Sequence, residues 1–247
     1  MRQSFFTAAR GNVLFIILIA VGLFAMLSFA VTQTGRNAAN IDAEESNLAL
    51  TEALGYMIGV RDAVERMIRL ELCTEYTVRF WHADRTNTAA PHYGDNSNPK
   101  CEIFDREGGK VSYEVRPQAL AGYGGDEYVV SGAIRVLGLG TDTSGDTNGD
   151  GQGEGQELLM LINVPRAVCL SANTRFDIPN PGGEPPDFNL TIISPGLNWS
   201  TFPYHATGGY NVGGSALGDE LWGHRTGCFV STADPELYTL YQVLWTR

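Results

Sequence analysis

One apolar stretch stands out in the chain: Asn12-Val-Leu-Phe-Ile-Ile-Leu-Ile-Ala-Val-Gly-Leu-Phe-Ala-Met-Leu-Ser-Phe-Ala-Val-Thr-Gln-Thr34. Between Val13 and Val31 it contains no charged residue, and only Gly22 and Ser28 interrupt the run. At about 1.5 Å per residue, a helix over this run is roughly 28 Å long, close to the thickness of the hydrocarbon core of a bilayer. The stretch therefore predicts a membrane-spanning helix.

The flanking charges predict the orientation of this helix. Arg2 and Arg10 precede it, and the chain that follows is acidic. Because positive charge is retained on the cytoplasmic side, residues 1 to 11 are predicted to be cytoplasmic and the remainder to lie outside, after a single membrane pass. We therefore expect the protein to lie in the inner membrane, with the bulk of the chain in the periplasm or outside the cell.

Three fates of the apolar stretch fit these features. It is a permanent anchor, a secretory signal removed after Ser28-Phe29-Ala30, or a helix released from a short leader at Arg10-Gly11. Cleaved signal peptides have a shorter apolar core of roughly 7–15 residues, which argues against the second fate.

The apolar stretch is followed by a segment with helical periodicity. From Asn40 to Leu70 apolar residues recur at spacings of three and four, with charged residues between them, which predicts one apolar stripe on a helix. The stripe consists of Leu50, Leu54, Met57, Val60, Val64, Met67 and Ile68. One long helix, apolar in its first half and amphipathic in its second, is therefore predicted to reach about Leu72.

These features resemble the type IV pilin and type II secretion pseudopilin family. The resemblance rests on Arg10-Gly11, on the apolar run after it, and on an amphipathic continuation before a domain with cysteines. It implies that a prepilin peptidase cleaves between Gly11 and Asn12, and that the apolar helices of the same or related pilin-like subunits then form a filament core. The implied assembly residues are Val13, Phe15, Ile16, Gly22, Phe24 and Ala25.

Two positions depart from the family pattern. Asn12 stands where the family usually begins the mature chain with Phe or Met, and Ile16 stands where it usually has Glu. In the family that glutamate pairs with the N-terminus of a neighbouring subunit. Some minor subunits at the filament tip also lack it, so the resemblance leaves open whether this is a major or a minor subunit.

The predicted fold is α+β, with the long N-terminal helix packed on a mostly antiparallel sheet, as in pilins. The predicted parts are a leader (residues 1–11), a filament-core helix (12–36), its amphipathic continuation (37–72) and a β-rich head (73–247). A composition of 43% hydrophobic and 10% aromatic residues fits a globular head. The formal net charge of −11, together with the lack of a basic cluster that could neutralise phosphates, predicts that nucleic acid is not a partner.

Four cysteines, Cys73, Cys101, Cys169 and Cys228, lie on the side predicted to face an oxidising compartment. Four cysteines allow three disulfide connectivities. The local pairing of Cys73 with Cys101 and of Cys169 with Cys228 is preferred, because each half of the head is then cross-linked once. The Cys-x-x-Cys spacing of zinc and redox sites does not occur, which makes those sites weaker alternatives.

Within the head, β-branched and aromatic runs separated by glycine and proline predict strands. Two glycines in Asp105–Gly109 predict a hairpin in which they supply positive φ. A short helix is predicted to begin at Pro165. The predicted strands include 77–81, 102–104, 110–115, 127–137, 157–164, 188–193, 228–231 and 238–245.

A glycine-rich segment before the strand at 157–164 fits a twelve-position calcium loop. Oxygen-bearing side chains occupy positions one, three, five, nine and twelve, and a glycine occupies position six, as such loops require. The predicted ligands are Asp146, Asn148, Asp150, Gln152 through its backbone carbonyl, Glu154 and Glu157. Because the flanks read as strands, this is an isolated loop and not an EF-hand domain; the alternative is a solvated Gly/Asp connector.

The sequence gives no sign of a catalytic constellation. The four histidines are scattered, and Gly213–Gly218 misses the glycine that a nucleophile elbow requires. The prediction is a non-enzymatic structural subunit of a filament. Two alternatives stay open: a single-pass anchored ectodomain that binds a ligand or partner, and a secreted hydrolase of unrecognised type.

Overall fold

The computed structural model describes most of the chain, and the α+β class is confirmed. It describes residues 13–70, 73–74, 77–84, 98–120, 127–140, 157–188, 210–212, 219–231 and 237–246. Within them lie helix α1 (Val13–Arg69), helix α2 (Arg166–Arg175) and a six-stranded sheet. The chain forms two units, residues 1–45 and 46–247, so that α1 contributes to both.

In the second unit, α1 forms one wall of the core. The predicted apolar stripe is buried from Leu50 to Met67, and Ile68 is half-buried at its end. Residues three and four apart lie on one helix face, so this spacing turns the whole stripe toward the sheet. The face away from the sheet is polar or open, with glycines at Gly55 and Gly59 that have no atom within 4 Å of a built Cβ.

The strands of the sheet are β1 (Val129–Val136), β2 (Glu157–Val164), β3 (Asp187–Phe188), β4 (Tyr210–Val212), β5 (Thr226–Ser231) and β6 (Tyr238–Trp245). They lie in the order β3-β5-β6-β2-β1-β4. The sheet is mixed: among the described residues, the pairs β1–β4 and β3–β5 are parallel and the other three are antiparallel, which agrees with the predicted mostly antiparallel arrangement.

The sheet separates two apolar cores, and strand β2 shows how. All eight of its residues are buried. Because side chains alternate along a strand, Leu158 and Met160 face α1 and α2, while Leu159 and Leu161 face a second core on the opposite side. That second core also contains Tyr241. A strand covered on both faces is typically a continuous apolar run, and Leu158 to Ile162 form such a run.

Two local predictions are wrong. In the predicted strand 77–81, the described pairing is a single bridge between Arg79 and Glu102. In the predicted hairpin, the glycines are needed for close approach and not for positive φ. A Cβ on Gly108 would lie 2.2 Å from the Glu102 carbonyl oxygen, whereas the residue with positive φ is Lys110, at 59°. Propensity favoured a ladder here, but tertiary packing produced an irregular turn.

Candidate functional site

The apolar segment of α1 from Phe15 to Phe29 is exposed throughout. Phe15, Ile16 and Phe24 are 61%, 59% and 73% exposed, Ala25 is exposed, and nothing lies within 4 Å of a Cβ built on Gly22. The side chain of Val13 lies outside the described residues. Contiguous apolar surface of this extent marks a site of protein or membrane contact. We call this surface, residues 15–29, the apolar segment.

No helix among the described residues is long and apolar enough to cross a membrane.

The predicted cleavage site also lies outside the described residues. Neither Gly11 nor Asn12 is part of them, so leader removal stays a prediction.

The two predicted disulfides are confirmed. Cys73 is bonded to Cys101 with a Cα–Cα distance of 5.6 Å, and Cys169 to Cys228 at 5.3 Å. The first bond ties the chain just after α1 to the turn at Pro99–Cys101. The second ties α2 to β5 in the core. Each half of the head is thus cross-linked once, in keeping with an oxidising, extracytoplasmic location.

Of the predicted calcium ligands, only Glu157 lies within the described residues. Asp146, Asn148, Asp150, Gln152 and Glu154 lie outside them. Glu157 begins β2 and is fully buried. The Val136 amide donates a hydrogen bond of 2.6 Å to its Oε2 atom, so this carboxylate helps to hold β1 against β2. Among the described residues, no group of three His, Cys, Asp or Glu side chains could hold a metal ion.

The described histidines occupy structural positions. The His82 ring stacks on Tyr113 with centroids 4.4 Å apart, and its Nδ1 atom lies 3.6 Å from Asp84 Oδ2. The carbonyl of His224 accepts a hydrogen bond of 3.0 Å from the buried Tyr241 hydroxyl, and burial raises the pKa of that hydroxyl. His92 and His205 lie outside the described residues.

Helix α2 is held in place by polar contacts that the sequence did not predict. Arg166 and Glu184 form an ion pair of 2.6 Å at its N-terminal end. Their hydrogen bond lowers the pKa of Glu184 and raises the pKa of Arg166. Toward its C-terminal end, Ser171 Oγ donates to Asn47 of α1 at 2.8 Å.

The most consequential residue that the sequence did not single out is Asn173, near the end of α2. It is fully buried, and its side-chain amide pairs with both backbone groups of Cys228. In sequence, an asparagine on a short helix is typical of a solvated position. The one signal in the sequence is the spacing of four residues from Cys169, about one helical turn, which places both residues on the side of α2 that faces the sheet.

Comparison of the chain with protein-family models, with curated proteins and with solved structures finds no match in any of the three.

Proposed function

We propose that this protein is a structural subunit of a filament, of the pilin or pseudopilin kind, which assembles through the apolar segment of α1. The observation that carries the proposal is the exposure of that segment: Phe15, Ile16 and Phe24 are each more than half exposed. Leaving such an apolar surface in water is unfavourable by about 25 cal/mol per Å². An occupant must therefore cover it, and sister helices are the occupant proposed here.

Membrane lipid covers the apolar segment before assembly, and neighbouring subunits cover it afterwards. Lipid and leucine side chains are equally apolar, so association of such helices depends on close packing rather than on exclusion of water. Small residues permit that packing. Gly22 and Ala25 lie on the segment with open space around Gly22. Val13, which precedes the segment in the sequence, is proposed to take part in the same assembly.

Leader removal is the second part of the proposal. Residues 1–11 remain on the cytoplasmic side of the inner membrane until a prepilin peptidase cleaves between Gly11 and Asn12. The head faces the periplasm or the exterior, where the two disulfides form. After cleavage the subunit joins copies of itself or related pilin-like subunits.

Calcium binding by the loop that ends at Glu157 is the third part. The loop pattern supports it, since its twelfth position, Glu157, is a carboxylate at the start of β2. One of its oxygen atoms already accepts the Val136 amide. The cation would therefore join an existing contact and cross-link the loop to the strand pair β1–β2.

A melting experiment tests the calcium proposal. Calcium at about 100 times its Kd should stabilise the head by about 2.7 kcal/mol relative to a chelated sample. Asp150→Ala should abolish this gain, because a side-chain ligand is lost. Gln152→Ala should retain it, because that position contributes only its backbone carbonyl. Equal melting temperatures with calcium and with chelator would show that the loop is a solvated connector.

Analysis of native protein from its own host tests the filament proposal. We expect N-terminal sequencing to give Asn12 and electron microscopy to show filaments that contain the protein. An N-terminus at Met1 on a solitary molecule would indicate an anchored ectodomain, and one at Val31 would indicate a secreted domain. Either result would contradict the proposal.

A further inference from the structure

Strand β5 lies next to the end of the sheet, and among the described residues its outer neighbour β3 pairs only with its last two residues. Residues Asp187 and Phe188 of β3 pair with Val230 and Ser231. Cys228 and the start of β5 lie beyond this pairing. Exposed strand edges are templates for strand addition by other chains, and proteins block them by specific devices.

The chain that follows α2 crosses this edge. Val168 and Ala172 of α2 belong to the core that contains α1, whereas Ile178 belongs to the core on the opposite face of the sheet. The segment Asn173–Asn180 therefore passes from one face to the other around β5. Its turn includes Asp177 in the left-handed region, with φ of 58°. We call this segment the strap.

The strap lies directly against β5. On the face of the sheet that Ile178 covers, a Cβ built on Gly227 would lie 3.0 Å from the Ile178 Cδ1 atom, so the strap contacts β5 there. The ends of the strap are joined to each other, because Asn173 Nδ2 donates to Asn180 Oδ1 at 3.0 Å. The strap is thus closed on itself where it passes β5, and Ile178 packs it against the strand.

Asn173 makes the hydrogen bonds that an added strand would make. Its Nδ2 atom donates to the Cys228 carbonyl at 2.9 Å, and its Oδ1 atom accepts the Cys228 amide at 2.9 Å. A donor and an acceptor on one side chain, bonded to both backbone groups of one residue, reproduce the pairing between adjacent strands. Two residues further along β5, the Val230 amide donates to the Pro186 carbonyl at 3.0 Å.

We propose that the strap protects the edge of β5 and prevents this strand from pairing with a strand of a second copy of this chain. Asn173 is the residue that holds the strap against the edge. The inference goes beyond the proposed function and does not depend on it. Protection of this edge matters more if copies assemble, because the heads of neighbouring copies are then at high local concentration. The disulfide between Cys169 and Cys228 keeps the helix beside the edge, and Asn173 closes the remaining gap.

The test uses the full chain in detergent micelles, with a spin label on Arg225→Cys at the exposed residue before β5. Asn173→Ala opens the edge and leaves the disulfide in place. Thr239→Val is the matched control, because it removes a buried hydrogen bond to Asn163 in the centre of the sheet. In Asn173→Ala we expect the Cys228 amide to exchange with solvent about five- to tenfold faster, since its partner is lost.

Two copies paired through β5 would give a new distance between labels. In an antiparallel pair centred on Thr226, which leaves the pairing of Val230 and Ser231 with β3 in place, the labelled positions are two residues apart along the strands, or about 7 Å at the backbone. We expect this distance in Asn173→Ala, and neither in the labelled parent chain nor in Thr239→Val.

Three results would overturn the proposal. Unchanged exchange at Cys228 would show that Asn173 does not hold the edge closed. Faster exchange without the new distance would show that an open edge does not accept a second copy. The same distance in Thr239→Val would show that general destabilisation is the cause. If Asn173→Ala does not fold, Asn173→Asp replaces it under the same criteria, because aspartate can accept the Cys228 amide but cannot donate to the carbonyl.

Discussion

Two parts of helix α1 are both rich in apolar residues, and their surroundings are opposite. From Phe15 to Phe29 the side chains are exposed, whereas between Leu50 and Met67 the apolar stripe is buried against the sheet. The first part is apolar around its whole circumference, and no single neighbour could cover it. The second is apolar on one face only, which the head covers. The apolar content of a helix thus predicts that something covers the helix. The distribution of the apolar residues around the helix axis predicts whether the rest of the same chain can cover it.

The strongest test of this contrast places a charge on the buried stripe. Val60→Asp should destabilise the head by more than about 4 kcal/mol, because a carboxylate without a partner would lie in the core. Since domains are stable by only about 5–15 kcal/mol, the head should be largely unfolded. Thermal and denaturant unfolding of the full chain in detergent measure this effect.

The control is Ile58→Asp on the same helix. Ile58 is 38% exposed, so its charge can be solvated, and we expect a loss of about 1 kcal/mol or less. Equal destabilisation by both substitutions would mean that the buried stripe and the outer face of α1 do not differ as described.

The disulfides test how far the buried part of the molecule depends on cross-links. Replacing either pair by alanine should cost about 2–5 kcal/mol. The bond between Cys169 and Cys228 spans 59 residues and the bond between Cys73 and Cys101 spans 28. Loop entropy then makes the first bond more stabilising by about 0.7 kcal/mol. Denaturant unfolding of the two double variants measures the difference, and a reversed order would contradict the entropic account.

A smaller effect on stability is expected in the exposed segment. Ile16→Glu should leave the melting temperature of the head unchanged, because Ile16 belongs to the other unit. If the carboxylate usual in pilins is dispensable here, incorporation into filaments should stay at the parent level or rise. Ile16→Leu, which keeps the side chain apolar, is the control.

Filament yield and the melting temperature are measured together. Loss of assembly in Ile16→Glu, with Ile16→Leu unaffected, would mean that this position packs against a partner that requires an apolar side chain.

The smallest expected effect lies at the exposed ion pair between Arg166 and Glu184. The pair lowers the pKa of Glu184, so its contribution is present above the ordinary carboxyl pKa and is lost as pH falls through the lowered value. Glu184→Gln should reduce the melting temperature slightly at neutral pH, and the difference from the parent should vanish in acid. A difference that persists or grows in acid would exclude this explanation. The contribution is small because both side chains are exposed.

Much of the fold could be predicted where a local pattern carries the information. The stripe on α1, the apolar strand β2 and the short helix after Pro165 all follow from periodicities or preferences over a few residues. The disulfide pairing also followed from position in the chain. The hairpin around Gly108 failed for the opposite reason: its glycines serve a close approach to Glu102, and such approaches cannot be read from turn composition.

The sequence also predicted those parts of the candidate site that depend on a local pattern. The apolar run that contains the exposed residues Phe15, Ile16 and Phe24 was identified from sequence, because an uninterrupted apolar run needs no tertiary information to be recognised. Their role in assembly stays a prediction. The role of Glu157 in joining β1 to β2 was not predicted, since it depends on a contact with Val136, 21 residues away. The hydrogen bonds of Asn173 are more distant still, at 55 residues.

The sequence alone determined that the chain has an apolar helix, an amphipathic continuation of it and a cross-linked head, because each depends on residue types at fixed local spacings. Only the tertiary structure decided the order of the strands, the passage of the strap around β5 and the residue that closes that edge. Those features depend on which segments, far apart in the chain, come close enough to hydrogen-bond the same buried backbone groups.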